Sequence, residues 1–152
     1  MTQSHVAVVA FPFSSHAGSL FSLARAMSSL APSSHFSFLS TERSLASLKS
    51  QHLLSNISLV PISDGVTSPH VPSHFEAIEL FLNSFKDSLR ESLKGCKLRC
   101  IVSDLFVWLT ADVADEMAVK WVPVTTAAPL DLYTHLHADL IREVVGVADE
   151  EH

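Results

Sequence analysis

The stretch His5-Val-Ala-Val-Val-Ala-Phe11 carries no polar side chain after His5. A strand with one wet face would alternate apolar and polar residues. A continuous apolar run of this length therefore predicts a strand buried on both faces. Just downstream, Ser14 and Ser15 offer hydroxyls to cap a helix, and Leu20, Leu23, Ala24, Met27 and Leu30 recur at helical spacing until Pro32 ends the pattern. A strand covered on both sides and followed at once by a helix is the opening unit of a parallel sheet.

The alternation continues outward from that unit. His35-Phe-Ser-Phe-Leu39 reads as a second strand, and Thr41-Glu-Arg-Ser-Leu45 opens a short helix. A third strand over 57–61 leads to a turn at Ser63, Asp64 and Gly65, then to a loop of Ser, Pro and His over 66–73. Ile78, Leu82, Phe85, Leu89 and Leu93 form one apolar helical stripe, with Lys86, Asp87, Arg90, Glu91 and Lys94 turned away from it. A fourth strand (98–103), a helix (106–117), a fifth strand (121–125) and a last helix (130–145) complete the series. Such alternation predicts an α/β fold, a Rossmann-like parallel sheet with right-handed crossovers and helices on both faces. In the order 3-2-1-4-5, strands one and four are neighbours ~4.8 Å apart. The loop after Phe11 then lies beside Asp104, at the reversal of strand order where ligands bind in open sheets.

The bulk properties narrow the class. With 152 residues, 47% of them hydrophobic and 17% charged, the chain is expected to be one ordered domain with a real core. A net charge of −6 argues against a nucleic-acid partner, because phosphate binding needs clustered Lys and Arg. Met1-Thr-Gln-Ser-His5 carries no Lys or Arg and so no basic n-region ahead of the apolar run 6–13, which is therefore not read as a signal peptide. No apolar stretch reaches the ~18 residues of a membrane span. The most apolar region, 100–124, is cut by Asp104, Asp112, Asp115, Glu116 and Lys120. A soluble, cytoplasmic protein is expected. Cys96 and Cys100 lack the usual zinc partners and read as reduced, structural thiols.

Several chemistries find no motif. Gly18 stands alone, so there is no G-x-G-x-x-G after the first strand, and neither a phosphate-binding P-loop nor a G-x-S-x-G elbow occurs. His135 and His137 are two apart, which separates them on a helix, and no metal site is expected. Trp108 and Trp121 read as packing between sheet and helices, with the edge of an aromatic pocket as the alternative for either, and the Phe-rich segment 75–85 as core stripe rather than ligand wall. His16, at the mouth of the first crossover, is the candidate base, and Asp104 is the carboxylate that would orient it and stabilise its charged form. The structural alternative stays open: His16 and Asp104 as caps of two helices.

At these positions the chain resembles a known family. His5-Val-Ala-Val-Val-Ala-Phe-Pro-Phe-Ser-Ser-His-Ala-Gly18 is similar to the opening of plant family 1 UDP-glycosyltransferases, in particular the flavonoid and anthocyanidin 3-O-glucosyltransferase branch. The similarity runs in order through Phe36-Ser-Phe-Leu-Ser-Thr41, Ile62-Ser-Asp-Gly-Val66, Glu76-Ala-Ile-Glu-Leu-Phe81, Ser103-Asp-Leu-Phe-Val-Trp108, Trp121-Val-Pro-Val-Thr-Thr-Ala-Ala-Pro129 and Asp139-Leu-Ile-Arg142. The resemblance implies the N-terminal part of a GT-B fold, in which two Rossmann-like domains face a cleft. The first domain takes the acceptor and the second the UDP-sugar, with inversion and no metal or other cofactor. It implies His16 as catalytic base with Asp104, Ser15 and Thr126 towards the donor (a UDP-sugar, UDP-glucose by branch), and Phe13, Phe75 and His135 towards a phenolic or flavonoid acceptor.

Two positions depart from the family pattern. Ser19 stands where many relatives have Pro, and Phe75 where flavonol-using relatives often have a hydrogen-bonding Gln. The tryptophan-led donor signature does not occur in the 152 residues. The expectation is therefore a truncated acceptor-binding domain over 1–152, lacking its donor domain and inactive alone. The alternative is a non-enzymatic small-molecule binder or partner protein derived from such an enzyme.

Overall fold

The computed structural model describes residues 4–49, 51, 53–67, 69 and 71–145. Ser68 and His70 of the predicted 66–73 loop, and the terminal stretch 146–152, lie outside the described residues. The elements run β1 (His5–Val9), α1 (His16–Leu30), β2 (His35–Thr41), α2 (Glu42–Leu48), β3 (Ile57–Ile62), α3 (His74–Ser92), β4 (Cys100–Asp104), α4 (Thr110–Glu116), β5 (Lys120–Val124), α5 (Pro129–Leu136) and α6 (Ala138–Val145), with a short 3₁₀ turn at Leu105–Val107. All strand pairs are parallel and the order is β3-β2-β1-β4-β5, as the strand–helix alternation predicts.

The run that opens the chain is apolar throughout because β1 is the central strand. Ala7, Val9 and Phe11 face a layer containing Phe81, Phe85 and Leu89 of α3 and Val113 of α4. Val8 and Ala10 face the other layer, with Leu20, Phe21 and Ala24 of α1 and Phe38 of β2. Each side chain lands in a core, and a polar residue at any of these positions would be buried without a partner.

Helix α3 begins with a capping box, in which the Ser73 hydroxyl accepts the Glu76 amide and the Glu76 carboxylate accepts the Ser73 amide. Its charged face is not simply solvated. Lys86 Nζ donates to Asp112 Oδ2 at 2.8 Å and Arg90 Nε to Glu116 Oε2 at 2.7 Å, tying α3 to α4. The guanidinium of Arg90 holds the Glu116 carboxyl below the usual range. The turn at Gly65 is equally specific: its φ is +78°, and a Cβ there would lie 2.1 Å from the Leu80 carbonyl oxygen.

The structure corrects four expectations. The helix expected over 106–117 starts as a 3₁₀ turn and becomes α-helical only at Thr110, because the Asp104 carboxylate draws the Phe106 amide into a tighter turn. The helix expected over 130–145 is two helices, broken at His137, whose backbone leaves the helical region (φ −113°, ψ 19°) and whose ring stacks on Tyr133. Ser15 is the N-cap of α1 but its hydroxyl makes no capping bond, and Ser14 is left-handed (φ 56°). Trp108 is not packed between layers but is 54% exposed. Among the described residues no helix is long and apolar enough to cross a membrane.

Candidate active site

The carboxyl ends of β1 and β4 meet where the strand order reverses. From β1 the chain passes Phe11, Pro12 and Phe13, turns at the left-handed Ser14, and enters α1 with His16 as its first residue. A non-glycine residue at positive φ is uncommon and stores strain, which here serves the sharp entry into α1. From β4 the last residue is Asp104, fully buried. His16 Nδ1 stands 2.7 Å from Asp104 Oδ2, and Asp104 Oδ1 accepts the Phe106 amide at 2.9 Å. The carboxylate therefore serves both readings left open by the sequence: one oxygen caps the 3₁₀ turn and the other binds a histidine. His16 is no cap, since Ser15 occupies that position.

A carboxylate only accepts, so His16 Nδ1 carries the proton and Nε2 keeps its lone pair. Thr126 Oγ1 also lies 3.2 Å from Nδ1, and the shorter, charge-assisted bond to Asp104 takes the proton. Phe11 and Phe106 meet the imidazole edge-on, with centroids at 5.3 and 4.7 Å. The His16 side chain is left 16% exposed. Beneath Asp104, Trp121 Nε1 donates to the buried Ser103 Oγ at 2.8 Å, fastening β5 to β4 next to the carboxylate.

One hollow includes His16, and a larger one shares Phe13, Ser14 and His74 with it. The smaller, about 350 Å³, is walled by Phe11, Phe13, Phe106, Trp108, Ile78 and Leu82, and Ser14, His16 and His74 also line it. The larger, about 1100 Å³, is rich in hydroxyls (Ser15, Ser19, Thr41, Ser44) and includes Arg43 and Asp64, but His16 does not line it. Of the two, only the smaller is lined by His16.

The structure thus brings together His16, Asp104 and Thr126, and puts Phe13 on the wall of both hollows. Ser15 lines the larger hollow alone. His135 sits on the exposed α5, its Nδ1 2.8 Å from the Asp131 carbonyl, and lines neither hollow. Phe75 is 83% exposed, touches the His74 ring edge-on, and also lines neither. Sequence reasoning missed His74, Phe106 and the Trp121–Ser103 bond. The capping-box spacing of Ser73 and Glu76 could have found His74, since it fixes position 74 as the first residue of α3. Cys96 and Cys100 are both free, and burial pushes the Cys100 thiol up. Among the described residues no three His, Cys, Asp or Glu side chains converge as metal ligands do.

No family model matches the chain. Over 160 residues it is 42% identical to an anthocyanidin 3-O-glucosyltransferase from Vitis vinifera, covering 97% of this chain and 35% of the relative. Over 155 residues it is 41% identical to a myricetin 3-O-rhamnosyltransferase from Crocosmia x crocosmiiflora, covering 96% and 34%. A flavonol 3-O-glucosyltransferase from Arabidopsis thaliana is 39% identical over 96% of the chain and 34% of the relative. The crystal structure of a UDP-glucose: anthocyanidin 3-O-glucosyltransferase in complex with UDP superposes with a TM-score of 0.87 at 33% identity, covering 93% of this chain and 34% of that one. The chain is related to the N-terminal portion of plant flavonoid and anthocyanidin 3-O-glycosyltransferases, and its sheet is that of the GT-B fold. It spans about a third of the length of these relatives.

Proposed function

We propose that this chain is the acceptor-binding portion of a UDP-sugar-dependent glycosyltransferase acting on a flavonoid or related phenol, with His16 as the base and Asp104 as its partner. The observation that carries the proposal is the 2.7 Å contact between His16 Nδ1 and the fully buried Asp104. It leaves Nε2 as the proton acceptor and fixes the ring towards an aromatic hollow of about 350 Å³, at the small end of the range of ligand pockets. The flat, apolar rings of a flavonoid suit walls of Phe11, Phe13, Phe106 and Trp108.

In the proposed step a phenolic oxygen attacks the anomeric carbon of the donor sugar while its proton passes to His16 Nε2. The bond from that carbon to the UDP oxygen breaks, its electron pair leaves with UDP, and the configuration inverts. Asp104 offsets the imidazolium charge as it forms. Thr126, beside the same imidazole, and Ser15, at the entrance to α1, are proposed to face the transferred sugar and its phosphates. UDP-glucose is the proposed donor. Most of its binding site falls to the part of such enzymes that these 152 residues do not span, and a cytoplasmic setting belongs to the same reading. Acceptor and donor must meet within bond-forming distance, so turnover needs both parts.

The test joins this chain to the donor-binding portion of a relative and compares it with His16→Ala. Transfer to myricetin from UDP-glucose should disappear in the variant while myricetin binding persists. Undiminished transfer by His16→Ala would remove His16 as the base, and turnover by the 152 residues alone would remove the need for a second part.

A further inference from the structure

His74 is the residue of the small hollow that neither the dyad nor the family resemblance accounts for. It occupies the first position of α3, and the reciprocal Ser73–Glu76 capping bonds fix the backbone on which it stands. Its ring meets Phe13 edge-on at 5.8 Å and Phe75 at 5.9 Å, so aromatic neighbours orient it on two sides. Among the described residues its imidazole forms no hydrogen bond. It lines both hollows and so stands at the junction between them. The rest of the α3 wall, Ile78 and Leu82, is apolar.

From this geometry we infer that His74 is an acceptor-binding and specificity-determining residue, which hydrogen-bonds a hydroxyl of a flat polyphenol whose other polar end lies at His16. The inference rests on the acceptor reading given above. A neutral imidazole donates from one nitrogen and accepts at the other, so His74 can meet a phenol in either sense. The resemblance directs attention to position 75, where Phe cannot hydrogen-bond. In this chain the polar group at that end of the hollow stands one residue earlier, with Phe75 turned outward against it. A site built to meet a hydroxyl discriminates against ligands lacking it more strongly than an apolar wall does.

The experiment is a fluorescence titration of the 152-residue chain and its His74→Phe and His74→Gln variants with two probes, myricetin and unhydroxylated flavone. His74→Phe should weaken myricetin binding about five- to tenfold, the range of one neutral hydrogen bond. Flavone binding should stay the same, and His74→Gln should recover part of the loss. This change in the ratio of the two affinities is one that general damage to the fold would not produce. Equal myricetin affinity in all three proteins would overturn the inference while leaving the acceptor reading in place. A wild-type chain that binds neither probe would overturn both.

Discussion

His16 and Asp104 are 88 positions apart in sequence, yet Nδ1 and Oδ2 stand at 2.7 Å because β1 and β4 are paired in parallel, Val9 opposite Ser103. The contact is a property of sheet order, and the second carboxylate oxygen is already spent on the Phe106 amide. Asp104 therefore has no free oxygen with which to drift, and the imidazole it holds has one available tautomer.

Replacing Asp104 with Asn keeps the shape and an oxygen for the Phe106 amide but removes the charge. In an enzyme carrying this N-terminal portion, transfer should fall by about 10²- to 10⁴-fold, the range for losing an oriented acid–base partner. In the 152-residue chain, nitrogen NMR should show wild-type His16 protonated at Nδ1 and the variant protonated at Nε2, because the Asn NH2 that faces Nδ1 only donates. Asp104→Leu leaves the Phe106 amide unmet and His16 Nδ1 with only Thr126 Oγ1 in reach, and should cost about 1–3 kcal/mol in a urea unfolding curve.

Much of this was legible beforehand, and the reasons differ from residue to residue. The central strand announced itself because Val8 and Val9 face opposite cores and neither alternates with a polar residue. Asp104 was legible because a charge directly after an apolar strand has few uses other than a cap or a site, and here it caps the 3₁₀ turn and also holds His16 Nδ1. The break at His137 was not, since an apolar period of 3.6 does not register a change of helix axis. The placement of Phe75 was not either. The α3 stripe begins three residues later at Ile78, and nothing in the spacing says which way an aromatic in the first turn faces.

Gly65 should tolerate no side chain. Its φ of +78° strains any L-residue, and the obstacle to a Cβ is the Leu80 backbone, which cannot swing aside as a side chain can. Gly65→Ala should lower stability by about 2–3 kcal/mol, from the sum of the conformational and steric terms. Gly18→Ala, with open space around its Cβ position, is the control and should be neutral or slightly stabilising within a helix. Thermal melts of the two variants read the difference directly.

His5 and His35 face each other across β1 and β2, with ring centroids 4.8 Å apart, and His5 Nε2 lies 2.8 Å from Ser37 Oγ. Burial, and secondarily the neighbouring His35, hold the His5 imidazole below the ordinary histidine range. Below the unfolded value the unfolded chain binds the proton more readily than the folded one. Stability is thus fully present above the ordinary histidine range and is lost as pH falls through the lowered folded value. Urea unfolding at pH 7.5 and 5.5 should show a smaller acid loss in His5→Gln than in wild type. An identical loss in both proteins would mean that His5 is not a source of the acid sensitivity.

Phe75 supplies the sharpest contrast between resemblance and geometry. The resemblance implies an acceptor-directed side chain at this position, yet here the side chain is 83% exposed and outside both hollows. Among the described residues its one aromatic-ring contact is with His74, edge-on at 5.9 Å. Phe75→Ala should therefore change myricetin affinity by no more than about twofold, the usual scale of a surface substitution. Phe75→Gln should gain nothing, because its amide begins outside the wall it would have to cross. The same titration applied to Phe13→Ala, which removes a ring shared by both hollows, should cost far more. If instead Phe75→Ala were the damaging change and Phe13→Ala the silent one, the acceptor would have to lie on the outer side of α3 and the aromatic hollow would lose its assigned ligand.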